Sequence, residues 1–305
     1  MDDERFDDVI RRLGEPITRR GAAGLLAGIA ALGLSDVAGK QRKRKRRKKR
    51  NAGRVGVEVT DGDLDGNAHP YVGLMVAQDA EGKPLWRCSG TLLSPTLFLT
   101  AGHCTEAPAT HVEIWFDADV ESGIPDNGYP NDGDVGGTPY THPQYDPDAF
   151  YLYDLGVVVL DEPYNMVSEY GELQDLNQLD QYAKKRGKNK VTFTAVGYGV
   201  QQSFPDAASW KEQALRIRMV AHPRLIQINT GFTGDFSILL SNNANTGGTC
   251  FGDSGGPNFI GDTNVIAGVT SYANNDTCGG AGGVYRVDQA DDLDWIYGTF
   301  GDELG

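Results

Sequence analysis

The chain has 305 residues, enough for one or two domains with a well-buried core, and its 40 glycines favour a turn-rich globular protein over a disordered one. Residues 1–53 hold 15 of the 28 Lys and Arg but only 7 of the 42 Asp and Glu, so the remaining 13 basic and 35 acidic residues carry a net charge of −22. With so large a negative charge, the part of the chain after residue 53 is not expected to bind nucleic acid or an anionic membrane. It should remain a soluble monomer.

The first segment, residues 1–38, is predicted to be an export signal. Arg19 and Arg20 precede a short apolar run that is too rich in glycine and alanine for a good membrane span. The paired arginines after Thr18 resemble a twin-arginine signal, so the sequence predicts a secreted protein. A helix that stays attached to the chain is the alternative interpretation.

A strongly basic block, QRKRKRRKKR at residues 41–50, follows the signal. Because its like charges repel one another, it predicts a disordered linker over residues 39–54. A tether that binds a polyanion is the alternative, and the block itself would then carry a function. The folded domain is predicted to span residues 55–305.

The folded part is predicted to be an all-β domain of sandwich or barrel type. Its apolar runs are short, often β-branched, and bounded by clusters of Gly, Pro, Asn and Asp. These runs are YVGLMVA (71–77), TLLSPTLFLTA (91–101), VEIWF (112–116), LGVVVL (155–160), VTFTAVGYG (191–199), FSILLS (236–241) and NVIAGVTSYA (264–273). The last stretch, DQADDLDWIYGTF (288–300), has apolar residues three to four apart, which predicts a terminal helix with an acidic start.

The chain contains four cysteines, which allow three pairings. No CxxC motif occurs, so a zinc site is not expected. An even number of cysteines in an exported protein predicts two disulfides, but these considerations leave their connectivity open.

The stretch CFGDSGGP, Cys250 to Pro257, presents Ser254 between glycines that allow a sharp turn and leave backbone N–H groups free. A serine hydroxyl becomes a nucleophile only with a base to take its proton and a group to orient that base. Of the five histidines, His103 stands out in LTAGHCTEA, where an apolar run ends and a cysteine follows. Asp154 opens the apolar run DLGVVVL, and a carboxylate there needs a partner such as an imidazole N–H.

The motif GDSGG also fits the G-x-S-x-G pattern of α/β-hydrolases, which place the catalytic histidine after the serine. Here the last histidine, His222, precedes Ser254, and the upstream chain lacks alternating strand and helix patterns. An esterase of that fold is therefore not expected.

Three segments together resemble the chymotrypsin/trypsin-like serine endopeptidase family, namely TAGHC (100–104), DLGVVVL (154–160) and GDSGGP (252–257). Their order of His, Asp and Ser also matches that family, and the similarity extends over roughly residues 59–300. The resemblance implies two antiparallel β-barrels of chymotrypsin type, with the changeover near residues 171–190. It also implies a serine-type endopeptidase, here a bacterial secreted member, that acts on a protein or peptide substrate. A non-catalytic binding protein on the same fold is the alternative.

By this resemblance, His103 is the general base, Asp154 fixes its tautomer and Ser254 forms the acyl-enzyme. The backbone N–H groups of Gly252 and Ser254 would form the oxyanion hole. The same resemblance implies two disulfides, Cys88 with Cys104 and Cys250 with Cys278.

The family's primary substrate pocket maps onto six residues, Gly248, Thr249, Ser271, Tyr272, Ala273 and Gly283. Trypsin-like members carry an aspartate at the position of Gly248 to bind Lys or Arg, so cleavage after basic residues is not expected here. Ala273 replaces a usual glycine and would narrow the pocket by about a methyl group, which favours a small or medium apolar side chain.

Family zymogens are activated by a cut, and the ammonium group of the new N-terminus pairs with the aspartate beside the nucleophile, here Asp253. The usual Ile-Val-Gly-Gly is absent, and Val59 or Val55 is the candidate for the new terminus. An uncut form that uses another cation for Asp253 is the alternative.

No cofactor is predicted, and calcium is the one metal that the sequence leaves open. DGDLDG, Asp61 to Gly66, resembles the start of an EF-hand loop, but its twelfth position is Val72 instead of the required Glu. Acid-rich residues 117–134 could hold calcium, although a solvated surface loop is the favoured interpretation. The acids of that stretch are Asp117, Asp119, Glu121, Asp126, Asp132 and Asp134.

Overall fold

The computed structural model describes residues 62–183, 191–201, 214–275 and 277–304. The predicted export signal, the basic linker and both candidate N-termini lie outside the described residues. Within the described part, no helix combines the length and the apolar character needed to cross a membrane.

Six antiparallel strands close into a first barrel. They are β2 (Val72–Gln78), β3 (Pro84–Leu92), β4 (Leu97–Thr100), β5 (His111–Trp115), β6 (Val135–Thr141) and β7 (Gly156–Leu160). Around the barrel the order is β2-β3-β4-β7-β6-β5, and every residue of β2 is buried. Closure pairs both sides of every strand, so this barrel has no exposed edge.

The strands of the second half form another barrel-like sheet, which also takes up the first strand of the described chain. Its members are β1 (Asp63–Leu64), β8 (Phe193–Gly197), β9 (Met219–Ala221), β10 (Leu225–Thr230), β11 (Gly234–Asn242), β12 (Pro257–Ile260), β13 (Ile266–Ala273) and β14 (Gly280–Arg286). The order is β1-β9-β8-β12-β13-β14-β11-β10, with Asp63 opposite Val220. The chain crosses from the barrel to this sheet between residues 160 and 193.

The helices of the described residues are short except for the last one. They are α1 (Gly102–Thr105), α2 (Val120–Gly123), α3 (Asp180–Ala183) and α4 (Ala290–Leu304). Helix α4 buries Leu293, Ile296 and Phe300, at the spacing of three to four that the sequence indicates, and the last two belong to the main hydrophobic core. Its end is held by Ser94 of the first barrel, whose hydroxyl donates to the carbonyl of Glu303 at 2.5 Å.

The predicted all-β architecture with a C-terminal helix is confirmed, with one correction to a strand. The run 91–101 is not a single strand, because β3 ends at Leu92 and β4 begins at Leu97. Pro95 cannot donate a backbone hydrogen bond, and the hydroxyl of Ser94 accepts the N–H groups of residues 96 and 97, which stabilises a turn instead.

Candidate active site

His103 lies on α1, a single helical turn that begins directly after β4. The Cys104 disulfide to Cys88 of β3 anchors this turn, and the indole N–H of Trp86 donates to the carbonyl of Cys104 at 3.0 Å. His103 is buried, with 9% of its surface exposed. The disulfide and the Trp86 hydrogen bond thus fix the turn that places the imidazole at the end of the strand.

Asp154 is fully buried directly before β7, where an unpaired carboxylate would be costly. It accepts the backbone N–H of His103 at 2.9 Å, and both of its oxygens lie 3.0 Å from His103 Nδ1. Burial by itself lowers the pKa of His103, but the charge of Asp154 and the hydrogen bond to it raise that pKa above its usual value of 6.5. Asp154 therefore fixes both the orientation of the ring and its affinity for a proton.

A second partner residue of Asp154 comes from the second sheet. Ser271 on β13 donates its hydroxyl to Asp154 Oδ2 at 2.5 Å. Sequence reasoning assigned Ser271 to the substrate pocket and missed this bond. The residues are 117 positions apart, so no local motif indicates the contact. The bond joins the two sheets at the His103–Asp154 pair.

The nucleophile loop, residues 250–256, presents Ser254 as a half-buried residue between buried neighbours. Gly252 and Gly255 flank it with φ of +88° and +76°, which side chains other than glycine rarely adopt. Gly255 lies against the end of β4, since a Cβ atom there would fall 2.5 Å from the carbonyl oxygen of Ser89 and 2.8 Å from the nitrogen of Ala101. The glycine thus brings Ser254 beside the strand end from which His103 projects.

The hydroxyl of Ser254 makes no hydrogen bond within the described residues, and neither does Nε2 of His103. The structure therefore joins His103 to Asp154 but does not close the hydrogen bond between serine and histidine. Such bonds are often long or poorly aligned in the absence of substrate and tighten when substrate binds.

Three backbone donors of the loop lack an acceptor in the described part of the protein, the N–H group of Phe251 and the two predicted oxyanion donors, the N–H groups of Gly252 and Ser254. The peptide carbonyl groups on their other sides are engaged, by Val200 N–H at 2.8 Å and by Gly256 N–H at 2.8 Å. Because the N–H and C=O of a trans peptide point in opposite directions, these bonds leave each free N–H on the side of its peptide opposite the bonded carbonyl. Paired N–H groups of this kind can stabilise a negatively charged oxygen.

Asp253, the predicted activation partner, is buried behind the nucleophile loop. Its two oxygens accept the N–H of Gly199 at 2.8 Å and that of Cys250 at 2.9 Å. Burial raises the pKa of Asp253 to about 6, against the effect of these hydrogen bonds and of the nearby Arg87 charge. An interaction with a new N-terminus stays a prediction, because the candidate termini lie outside the described residues.

Of the predicted pocket residues, Ser271, Tyr272 and Ala273 lie on β13 and Gly283 lies on β14, while Gly248 and Thr249 directly precede Cys250 in a loop. Ala273 packs against the disulfide between Cys250 and Cys278. A Cβ atom on Gly248 would overlap the side chain of Asn242, whose amide donates to the carbonyl of Thr249 at 2.8 Å. The neutral side-chain amide of Asn242 thus occupies the space beside Gly248. Across the strands, the ring of Tyr272 lies directly over Gly283.

Several carboxylates of the acidic segments that invited a metal interpretation are engaged in other contacts. Asp65 binds Arg218 at 2.9 Å and His69 at 2.5 Å, so its carboxylate serves a buried ion pair. In the acid-rich stretch, Glu121 pairs with Arg216 at 3.1 Å and Asp134 accepts the N–H of Phe116 at 2.7 Å. Among the described residues, the metal-ligand groups found together are Cys88, His103 and Cys104, and both cysteines are disulfide-bonded. A calcium requirement stays a prediction.

Two barrel-like sheets, joined by the hydrogen bond of Ser271 to a buried His–Asp pair beside a glycine-flanked serine, define a protein of the chymotrypsin-like fold class. A family model described as Trypsin matches residues 64–296. The chain therefore belongs to the trypsin family.

Curated relatives from animals agree with this assignment. Serine protease 1 of Drosophila melanogaster is 28% identical over 232 residues, which cover 74% of this chain and 79% of the fly protein. Ovochymase of Halocynthia roretzi is 24% identical over 224 residues, which cover 70% of this chain. The aligned part is only 13% of the ovochymase, so the chain spans a small fraction of that protein.

Solved structures share the fold. An HL collagenase superposes with a TM-score of 0.58 at 23% identity, covering 81% of this chain and 98% of the collagenase. Human heparin binding protein superposes with a TM-score of 0.56 at 18% identity, covering 78% of this chain and 94% of that protein. At these identities the likeness supports the fold and no particular activity.

Proposed function

We propose that the chain is an exported serine endopeptidase that hydrolyses peptide bonds through an acyl-enzyme on Ser254. The observation that carries the proposal is the buried pair of His103 and Asp154 next to a serine whose loop leaves the N–H groups of Gly252 and Ser254 free. A base, a group that orients the base, a nucleophile and an oxyanion site are the four parts that acyl transfer requires. The prediction of a bacterial source is outside this proposal, because the relatives named above are animal proteins.

In the proposed reaction, Oγ of Ser254 attacks the carbonyl carbon of the substrate while Nε2 of His103 takes the hydroxyl proton. Asp154 holds Nδ1–H and stabilises the imidazolium that forms. His103 then gives the proton to the leaving amine, and the C–N bond breaks to leave an ester on Ser254. A water molecule, deprotonated by the same imidazole, hydrolyses that ester and regenerates the serine.

The oxygen of the tetrahedral intermediate would accept the N–H groups of Gly252 and Ser254. Each such donor typically contributes about 3–4 kcal/mol of transition-state stabilisation. The positive φ at Gly252 is needed for this arrangement, and the engaged carbonyl groups keep the donors in place before substrate arrives.

Export of the folded domain is part of the proposal. Both disulfides close within the described residues, and stable disulfides are typical of oxidising compartments. The twin-arginine route rests on residues outside the described part and is inferred from the sequence alone.

The activity is tested by labelling the purified secreted protein with a fluorophosphonate probe, which reacts with activated serine hydroxyl groups. We expect one adduct, mapped by mass spectrometry to the peptide containing Ser254, and none in the folded Ser254→Ala variant. Heat-denatured wild type is the matched control, because it keeps the serine but loses the geometry that activates it. A folded wild type that neither labels nor cleaves a digested peptide library would instead support the non-catalytic binding protein.

The substrate preference follows from the neutral pocket. We expect kcat/KM for peptides with Lys or Arg before the cut to be at least about 100-fold lower than for Ala or Val, because a buried cation would lack a partner. Steady-state hydrolysis of a matched peptide series measures this. The Ala273→Gly variant should raise the relative rate for Leu or Phe by about tenfold by restoring the space of a methyl group. Equal rates for basic and apolar peptides in the wild type would contradict the assignment of the pocket.

A further inference from the structure

The hydroxyl of Ser89 is fully buried where β3 meets the nucleophile loop. Buried hydroxyl groups are tolerated in proteins when they are hydrogen-bonded, so the partners of this one are informative. Ser89 directly follows Cys88, whose disulfide anchors the turn that carries His103. Ser89 thus lies between the turn that carries His103 and the loop that carries Ser254.

Every hydrogen-bonding group of Ser89 is used. Its hydroxyl donates to the carbonyl of Gly252 at 2.9 Å and accepts the N–H of Tyr198 at 3.0 Å. Its backbone N–H donates to the carbonyl of Ser254 at 2.8 Å, and its own carbonyl accepts the hydroxyl of Thr100 at 2.9 Å. One residue therefore holds two carbonyl groups of the nucleophile loop and connects them to β4.

The two carbonyl groups belong to the peptide planes on either side of the plane that carries the Ser254 N–H. Fixing the Gly252 and Ser254 carbonyl groups restricts the rotation of the intervening Asp253–Ser254 peptide. The Asp253 side chain holds the same segment from behind, through Gly199 and Cys250. Ser89 thus acts on the direction of a free N–H donor that it does not itself contact.

We propose that Ser89 is a positioning residue for the oxyanion site, and that its hydroxyl keeps the Ser254 N–H aimed at the developing oxyanion before substrate binds. The inference deepens the proposed peptidase function and rests on it. The contact spans 163 positions of the chain, and no motif includes it. The hydroxyl contributes to catalysis through the loop, without touching substrate.

The Ser89→Ala variant removes this hydroxyl and adds no atom. Space is limited, since a Cβ on Gly197 would lie 3.1 Å from the Ser89 hydroxyl and one on Gly256 would lie 3.1 Å from the Ser89 Cβ. Alanine fits this space, whereas a larger side chain would move the loop directly. The variant therefore changes the hydrogen bonds and leaves the packing in place.

We expect Ser89→Ala to lower kcat by about 10- to 100-fold on a peptide substrate, with KM changed by less than about threefold, because misplacement by an ångström or less can cost this much. A peptide boronate, which adds to the serine as a tetrahedral anion, should bind weaker by a similar factor. A role confined to stability would leave both values unchanged in the folded protein.

The matched control is Thr91→Val. Thr91 is also fully buried, lies two residues further along β3, and donates its hydroxyl to the carbonyl of Tyr71 at 3.4 Å, away from the loop. The variant removes a buried hydroxyl from the same strand, so it should lower stability but leave kcat and boronate affinity at the wild-type values.

If Ser89→Ala does not fold, Ser89→Gly is measured instead. The second readout is amide hydrogen exchange in residues 250–256, which should be faster in the Ser89 variant than in Thr91→Val. If a folded Ser89 variant has the wild-type kcat, or loses no more kcat than Thr91→Val does, the positioning role is wrong but the proposed peptidase function is unaffected. If the wild-type protein turns over no peptide substrate, the proposed peptidase function and the role of Ser89 are both wrong. The two failures are therefore distinguishable.

Discussion

Replacing Asp154 by asparagine is expected to lower kcat by about 10⁴-fold, with KM changed by less than about threefold. The two oxygens of Asp154 accept the backbone N–H of His103, its Nδ1–H and the hydroxyl of Ser271. Asparagine keeps one oxygen and puts an NH₂ donor in place of the other. The donor favours the imidazole tautomer that carries its proton on Nε2, and this tautomer cannot deprotonate Ser254.

The pH dependence provides a second measurement on the same variant. His103 acts as a base only when neutral, so kcat/KM rises with pH through the pKa of its ring. The wild-type pKa is raised by Asp154, with a further contribution from Glu106, although burial opposes both. Without the Asp154 charge, burial lowers the pKa, and the acid limb of the profile should move to lower pH. Asp161→Asn, exposed just beyond β7, is the control and should change neither value.

A variant that loses kcat but keeps the wild-type acid limb would contradict the assignment of His103 as the base. A variant with wild-type kcat would contradict the role of Asp154. Loss of both activity and structure would point to the buried contacts of Asp154 with His103 and Ser271, and unfolding curves separate this effect from catalysis. Comparing the folded fractions of Asp154→Asn and Asp161→Asn therefore makes the kinetic result interpretable.

The parts of the site that the sequence predicts are those with local signatures. Glycines on both sides allow the sharp turn that presents Ser254, and His103 stands where an apolar run ends beside a cysteine, so both residues lie in short motifs. The Asp154 carboxylate is conspicuous because it begins an apolar run. The contacts of Ser271 and Ser89 are made by side chains 117 and 163 positions from their partners, and an isolated serine in a strand carries no mark of such a bond.

Two of the strands that the sequence misses, β6 and β14, are poor in β-forming residues. Strand β6 reads VGGTPYT and β14 reads GAGGVYR, and glycine and proline normally argue against a strand. Their glycines instead accommodate close neighbours. A Cβ on Gly137 would lie 2.6 Å from Val158 Cγ1, and one on Gly282 would lie 3.0 Å from Thr249 Oγ1. Pairing with adjacent strands outweighs intrinsic propensity here, and a single sequence does not record that pairing.

The second large effect is expected at Gly255, where alanine should destabilise the fold by about 2–5 kcal/mol. The residue has φ of +76°, which costs a side chain about 1–2 kcal/mol. The added methyl group would also overlap Thr100 Oγ1, the carbonyl of Ser89 and the nitrogen of Ala101. Two of these neighbours are backbone atoms, so the clash can be relieved only by moving β3, β4 or the nucleophile loop. Urea unfolding under conditions that keep the disulfides intact measures the loss.

Gly261→Ala separates the two contributions at Gly255. Gly261 has φ of +59°, and a Cβ there would meet no atom within 4 Å, so its substitution should cost only the backbone term of about 1–2 kcal/mol. An equal loss of stability in Gly255→Ala and Gly261→Ala would mean that the nucleophile loop does not pack closely against β4. If Gly255→Ala loses more and its folded fraction also fails to react with the fluorophosphonate probe, then the contact that stabilises the loop also holds Ser254 beside His103. Stability and reactivity would then depend on the same few atoms between β3 and β4.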